Sequence, residues 1–396
     1  MTDNLLSGMD RLLAHPEKYL TGKTIGLIVN HTSLAGDGKH SIAHFKDHSA
    51  FPLKTLFAPE HGLYGIAQDM IHIADEVDPL SGLTIKSLYG KNADSLHPDP
   101  KLLDGIDNLV FDIQDVGARY YTYIYTLANC MAICKQAGVR MVVCDRPNPI
   151  NGVSIEGNLV GEAWRSFVGQ YPLPNRHGMT AGELALYFNE EIQCDLQVVT
   201  LTGWKREMWY DQTGLVWTPP SPNMPTLATA TVYPGMCMIE GTLLSEGRGT
   251  TLPFEQIGAP FIDPNKLIAR LEKDTSLLPG VFFRPQYFQP MFQKCARETC
   301  GGVQFHVTDR NQFKPLLTTL ALIRAIAEIY PDELQWRTEP YEYVSDRLAI
   351  DLLYGNPKLR ETIFADDFSL TGLEESWQEE LDGFNKEVRE NYRLYT

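Results

Sequence analysis

The sequence predicts an α/β protein in which a Rossmann-like parallel-sheet domain is followed by a smaller α+β C-terminal domain. Three observations carry that expectation. Short, apolar, β-branched runs alternate with helical patterns through the first half of the chain. From Pro219 to Pro260 the texture breaks into Gly- and Pro-rich segments without a period. The 396 residues exceed what one hydrophobic core ordinarily serves, so two domains are expected, at 1–250 and 251–396.

Taken in order, strands are expected at 24–30, 53–58, 84–89, 108–112 and 139–145, with another near 196–201. Most are apolar throughout rather than alternating, as parallel strands covered on both faces should be. A helix is expected over 118–137, where Ile124, Leu127, Met131 and Cys134 fall on one side and Gly138 supplies a stop. Thr180 and Glu183 match a capping box and start a second helix, to about 191. Beyond the irregular stretch, helices at 264–273 and 315–329 and strands at 281–284 and 302–307 make up the α+β part. An acidic helical pattern near 374–390 reads as a surface helix.

Composition excludes several function classes. A formal net charge of −16 is wrong for nucleic acid or an anionic membrane surface, both of which need surplus Lys and Arg. Seven cysteines, an odd number scattered through apolar runs, suggest buried free thiols rather than a disulfide framework. The N-terminal segment has no basic stretch before an unbroken apolar core, and no segment is long enough to span a membrane. A cytoplasmic location is expected on those grounds. The oligomeric state is not legible.

The chemistry is expected at the carboxyl edge of the sheet, where loops converge. The strand exits carry Asn30, Glu60, then Asp112, Gln114 and Asp115, then Asp145, Arg146 and Asn148. Glu60 sits in a stiff Pro-Glu-His-Gly turn. Shielding by Phe57 and Tyr64 would favour its protonated form, which suits a general acid, with His61 beside it. Asp115 or Asp112 is the candidate second carboxylate. Arg119, Tyr120 and Tyr121 open the next helix; tyrosine faces suit a sugar ring, and an arginine suits a substrate carboxylate unless it pairs internally with Asp115. Tyr123 and Tyr125 read as core. Arg176 and His177 precede a helix N-terminus, and Glu240, Glu246 and Arg248 lie among glycines that let backbone approach a ligand.

Other signals fail. No glycine stands five positions before Gly22, so Gly22-Lys23-Thr24 is not a phosphate loop. No G-x-G-x-x-G follows the first strand, and no cofactor is expected. His40, His44 and His48 share a helical spacing, but no carboxylate or cysteine motif joins them, and no metal is expected.

Six ordered blocks, FAPEHGLYG, FDIQDVGARYYTY, DRPNP, RHGMTAGELA, PPSPNMPT and EGTLLSEGRGTT, resemble the exo-β-N-acetylmuramidase family, formerly a domain of unknown function. They span roughly residues 20 to 260, and the remainder fits that family's smaller C-terminal domain. The resemblance implies a glycosidase that releases N-acetylmuramic acid from the non-reducing ends of peptidoglycan fragments. It also carries the family's proposed catalytic glutamate onto Glu60. The substrate's lactyl carboxylate would need an arginine such as Arg119, Arg146, Arg176 or Arg248. A sugar-binding protein without turnover, or a lyase acting on the lactyl ether, are the alternatives.

Overall fold

A computed structural model of the chain describes residues 5–68 and 70–396. Residues 1–4, the start of the segment judged for a leader, lie outside the described residues. The first unit is a seven-stranded sheet of β1 (Ile25–Val29), β2 (Leu53–Ala58), β3 (Glu76–Val77), β4 (Thr84–Ser87), β5 (Asn108–Asp112), β6 (Arg140–Cys144) and β7 (Leu196–Val199). Its order is β3-β4-β2-β1-β5-β6-β7, parallel except where β3 runs against β4. The chain winds outward from β1 through β2, then returns to β5 on its other side. That reversal makes a topological switch point at the carboxyl ends of β1, β2 and β5.

The uniformly apolar strands follow from burial on both faces. Ile25, Leu27 and Val29 of β1, with Val110 and Val142, join one core together with Met9, Leu12, Ile42 and Phe45. Ile28, Leu109, Phe111, Met141 and Val143 point the other way, into a core shared with helices Tyr123–Ala137 and Ala181–Ile192. Successive strand residues face opposite sides, so a strand covered twice has no polar position. Thr180 caps the second of those helices and forms the expected box with Glu183.

The second unit is an antiparallel sheet of β8 (Gln256–Ala259), β9 (Val281–Phe288) and β10 (Cys300–Val307), ordered β8-β10-β9, with helices Pro264–Leu271 and Pro315–Ile329. The stretch expected to be irregular contains a helix, Leu227–Met236. Most of its residues are buried, so it lacks the polar face that gives a helix its period. Gly235 lets it press onto Pro315–Ile329, since a Cβ there would stand 1.9 Å from the Pro315 carbonyl oxygen. The helix expected from 118 starts only at Tyr123. Residues 118–122 form a turn instead, pinned where the Arg119 N–H donates to the Asn175 carbonyl. The last helix, Leu370–Phe384, closes in a π turn over Asn385–Arg389.

Two buried charges of the first unit hold helix ends of the second. Glu156 accepts from the N–H groups of Leu316 and Leu317 at 3.1 and 2.9 Å, at the N-terminus of Pro315–Ile329. Arg119 donates to the carbonyls of Leu353 and Tyr354 at the end of helix Ala349–Tyr354, and to those of Asn158 and Leu173. Both charges sit at the helix end whose dipole they complement.

Burial raises the Glu156 carboxyl from its ordinary 4.5 to about 7, against the pull of its two backbone donors and Arg176. A raised carboxyl binds its proton more tightly in the folded state. Its contribution to stability is therefore complete below about pH 4.5 and is lost as the pH rises through about 7. Urea unfolding at pH 5 and pH 8 should show wild type losing roughly 2–3 kcal/mol more than Glu156→Gln over that interval. Equal losses in the two proteins would place the carboxyl at its ordinary value.

Candidate active site

The turn after β2 aims Glu60 beyond the sheet edge. The Gly62 N–H donates to the Pro59 carbonyl at 3.0 Å, and both His61 and Gly62 adopt positive φ, 68° and 78°. The glutamate is 6% exposed and held at both oxygens. Oε2 accepts from the Thr122 hydroxyl at 2.9 Å and Oε1 from the Met70 N–H at 3.2 Å. His61 donates Nδ1–H to the Ala67 carbonyl at 2.9 Å, which leaves Nε2 as an acceptor in the neutral ring. Tyr64 does not shield Glu60 as expected. Its hydroxyl donates to Asp78 and its ring is half exposed.

Glu60 and His61 line a narrow cleft. Tyr120, Tyr121 and Tyr123 wall it from the segment after β5, and Tyr233, Phe254 and Tyr341 from the second unit. Tyr121 meets Tyr123 and Tyr233 edge to face, at 5.0 and 5.7 Å between centroids. Tyr120 is fixed by donating to the Pro234 carbonyl, and Tyr123 by donating to the Pro220 carbonyl at 2.7 Å. Tyr123 is therefore a wall of the cleft as well as part of the core, while Tyr125 lies wholly in the core.

Among the described residues three carboxylates reach this cleft: Glu60, Glu240 and Glu342. Glu240 accepts from Tyr341 at 2.8 Å and from Arg248 at 3.0 Å. Glu342 accepts from the Tyr89 hydroxyl at 3.1 Å. Burial first, and then the charges of Glu60 and Glu342, push the Tyr89 phenol up, so both carboxylates act on one hydroxyl. Arg248 lies over the Phe254 ring at 5.0 Å, with Glu246 3.5 Å away. Burial would raise Glu246, but Lys294 at 2.8 Å and Arg248 outweigh it and hold it below the ordinary value. The charge of Glu246 is thus met chiefly by Lys294.

Of the residues expected at the site, Glu60, His61, Tyr120, Tyr121, Glu240 and Arg248 line the cleft. The other strand-exit residues are bound up in the structure. Asp112 is fully buried and accepts from Arg146 Nε at 2.7 Å, while Arg146 also donates to the Leu34 carbonyl. Asn30 uses its side-chain oxygen to close a turn onto Thr32. Asp145, pushed by burial to about 6, takes bonds from Thr180, Gly182 and Tyr395. Asn148 donates to the Met179 carbonyl, and Gln114 to those of Asp115 and Pro147. Asp115 accepts from the Gly117 N–H and faces His177 Nε2 at 3.5 Å, while His177 Nδ1 accepts from Met179. Arg176, lowered by burial to about 10, donates to the Ile150 carbonyl and stacks over Trp209. Arg119 is fully buried, outside the cleft lining, and gives its donors to four carbonyls rather than to Asp115, which revises both readings of it.

His40 caps a five-residue helix, Ser41–Phe45, that ends before His48, so the three histidines share no long face. Among the described residues no group of three or more His, Cys, Asp or Glu is arranged to hold a metal ion. Nor is any helix there long and apolar enough to cross a membrane.

Two family profiles match the chain end to end: exo-beta-N-acetylmuramidase NamZ, N-terminal, over residues 25–228, and its C-terminal counterpart over 231–395. The chain belongs to the exo-beta-N-acetylmuramidase family. It is 43% identical over 391 residues to the peptidoglycan beta-N-acetylmuramidase NamZ of Bacillus subtilis strain 168, covering 98% of this chain and 91% of that protein. Two crystal structures of DUF1343 family proteins from Bacteroides fragilis NCTC 9343 share the fold. One has a TM-score of 0.86 at 34% identity, with 99% of each chain covered. The other has a TM-score of 0.75 at 26% identity, covering 100% of this chain and 99% of that one.

Within this exo-beta-N-acetylmuramidase family member, the cleft draws on residues the sequence did not single out: Thr122, Ser221, Asn223, Tyr233, Phe254, Tyr341 and Glu342. Ser221 and Asn223 lie in the PPSPNMPT block, whose Pro density was the available signal. Glu342 and Tyr343 had none. Both take positive φ, 45° and 68°, which is rare for residues with a side chain and invisible before folding.

Proposed function

We propose that this chain is an exo-acting glycosidase that releases N-acetylmuramic acid from the non-reducing ends of peptidoglycan fragments, with Glu60 as the general acid. One observation carries the reading. A carboxyl held at both oxygens stands in an aromatic cleft that also contains a guanidinium, Arg248. Tyrosine faces fit a pyranose ring and its acetamido methyl, and a guanidinium meets the lactyl carboxylate. The activity printed for the Bacillus subtilis relative supports the same substrate.

In this reading Glu60 protonates the glycosidic oxygen. Glu342, which shares the Tyr89 hydroxyl's surroundings with it, replaces Asp115 and Asp112 as the second carboxylate, activating water or orienting the substrate's own acetamido group. Thr122 is a positioning residue. Thr122→Val should lower kcat about tenfold with little change in KM, because the carboxyl loses one of its two donors while the pocket keeps its shape. An unchanged kcat would remove that role.

The reading is tested by incubating the protein with chromogenic β-glycosides of N-acetylmuramic acid and of N-acetylglucosamine. Release is expected from the first and little from the second, and Arg248→Gln should shrink that preference about tenfold or more. Binding of the muramic glycoside without release would indicate a sugar-binding protein. Release of lactate with the sugar ether cleaved would indicate a lyase. Either result overturns the proposal.

A further inference from the structure

A second, wider groove opens beside the cleft. It shares Glu342 with the cleft as a common wall. Two rings line the groove, Phe167 and Tyr343 at 6.4 Å, and the buried Tyr89 packs against both, at 6.2 and 5.5 Å. Tyr343 is pinned by donating to the Gly90 carbonyl at 2.9 Å. The two successive positive-φ residues explain how one strip of chain serves both spaces, because Glu342 borders the cleft and Tyr343 borders the groove. Side-chain-bearing residues hold such a conformation only where the surroundings impose it.

The groove carries two guanidiniums in a chain of net charge −16, Arg165 and Arg347. Arg347 is aimed by its own contacts: Nη1 donates to the Ala163 carbonyl at 3.0 Å, and the group lies over the Trp164 ring at 5.8 Å. Asp346, 3.5 Å away, is largely in solvent. Arg165 is exposed, and Asp94 and His97 complete the charged lining with Glu342. A depression beside the cleft at His61 is of a different character. Leu63, Ile66 and Ile73 line it with one acid, Glu76, and there is no lysine or arginine among the described residues around it.

We propose that the groove at Phe167, Tyr343, Arg165 and Arg347 is the leaving-group subsite, and that its two arginines bind a carboxylate on the next muramyl residue of the departing saccharide. The proposal rests on the exo-muramidase reading above. It follows from the position of the reacting groups. With Glu60 and Glu342 at the scissile bond, the terminal sugar fills the cleft, and the remainder of the chain must leave past Glu342. Every second sugar of that remainder carries a lactyl carboxylate, free or extended by a peptide stem with carboxylates of its own. An anionic leaving group is drawn to the arginine-bearing exit and disfavoured at the aliphatic one.

The test compares wild type with the double variant Arg165→Ala/Arg347→Ala on three substrates. These are the chromogenic N-acetylmuramic acid glycoside, a tetrasaccharide with free lactyl carboxylates, and the same tetrasaccharide bearing peptide stems. The chromogenic glycoside should be cleaved equally by both proteins, which also reports intact folding. On the tetrasaccharides the double variant should lose about five- to tenfold in kcat/KM, through KM. Wild type's preference for the long substrates should shrink in high salt. Loss on the bare tetrasaccharide assigns the lactyl carboxylate, and loss only on the stem-bearing one assigns the stem. Equal activity of the two proteins on all three substrates, or an equal loss on all three, overturns the subsite. Failure of wild type on the chromogenic glycoside overturns the parent reading instead.

Discussion

Glu60→Gln is expected to fold as wild type does and to release N-acetylmuramic acid at least about a thousandfold more slowly, since a positioned general acid contributes on the order of 10²–10⁴ and the amide cannot give up a proton to the leaving oxygen. The substitution is nearly isosteric. Its side-chain oxygen can still accept from Thr122 or from the Met70 N–H, so the turn keeps most of its ties. The measurement is single-turnover release from a natural disaccharide beside circular dichroism in the near and far ultraviolet. The chromogenic glycoside, whose leaving group needs little protonation, should suffer the smaller loss. Equal, modest losses on both substrates, with the fold intact, would make Glu60 a binding residue rather than the acid.

Arg119→Met is expected to behave in the opposite way, as a stability lesion. Methionine fills much of the same volume but leaves the carbonyls of Asn158, Leu173, Leu353 and Tyr354 without this donor in a fully buried place. The Tyr354 and Leu353 carbonyls keep a donor from Asn158 and Asn175, but those of Asn158 and Leu173 lose theirs. Leaving a buried acceptor unsatisfied costs about 1–3 kcal/mol, so a total loss of roughly 2–6 kcal/mol is expected. The loss should appear as a lower urea midpoint and as early loosening of the second unit, because two of the four carbonyls belong to its helix Ala349–Tyr354. Protein that remains folded should keep its KM for the chromogenic glycoside. A raised KM at unchanged stability would return Arg119 to the substrate site. Arg119 and Arg248 therefore separate cleanly, one by stability and the other by substrate preference.

Much of the fold was legible in advance because its causes are local. Apolar runs such as 108–112 and 140–144 mark strands covered on both faces, and Thr180 with Glu183 marks a helix start, whatever the rest of the chain does. The helix Leu227–Met236 was not legible, because a segment buried on nearly all sides shows no period, and Pro234 within it argues against a helix. Among site residues, Glu60 was legible for a reason of topology: β2 ends at the edge of a parallel sheet, and the stiff turn after it must project there. The same reasoning misjudged Asp112, Asp145 and Arg146, since sequence tells which groups reach an edge but not which of them find partners on arrival.

The sequence by itself determined the class of fold, the family, and that Glu60 would project from the carboxyl edge of the sheet. These depend on periodicity, chain order and motifs carried within single segments. Only the tertiary structure decided which charged groups line the cleft and which are spent elsewhere. Arg146 is taken by Asp112 and Arg119 by four carbonyls, whereas Arg248, Glu240 and Glu342 come from distant segments to face Glu60 across one cleft. The physical reason is that a buried polar group takes whatever partner the packing brings within about 3 Å, and that partner is set by contacts between residues far apart in the chain.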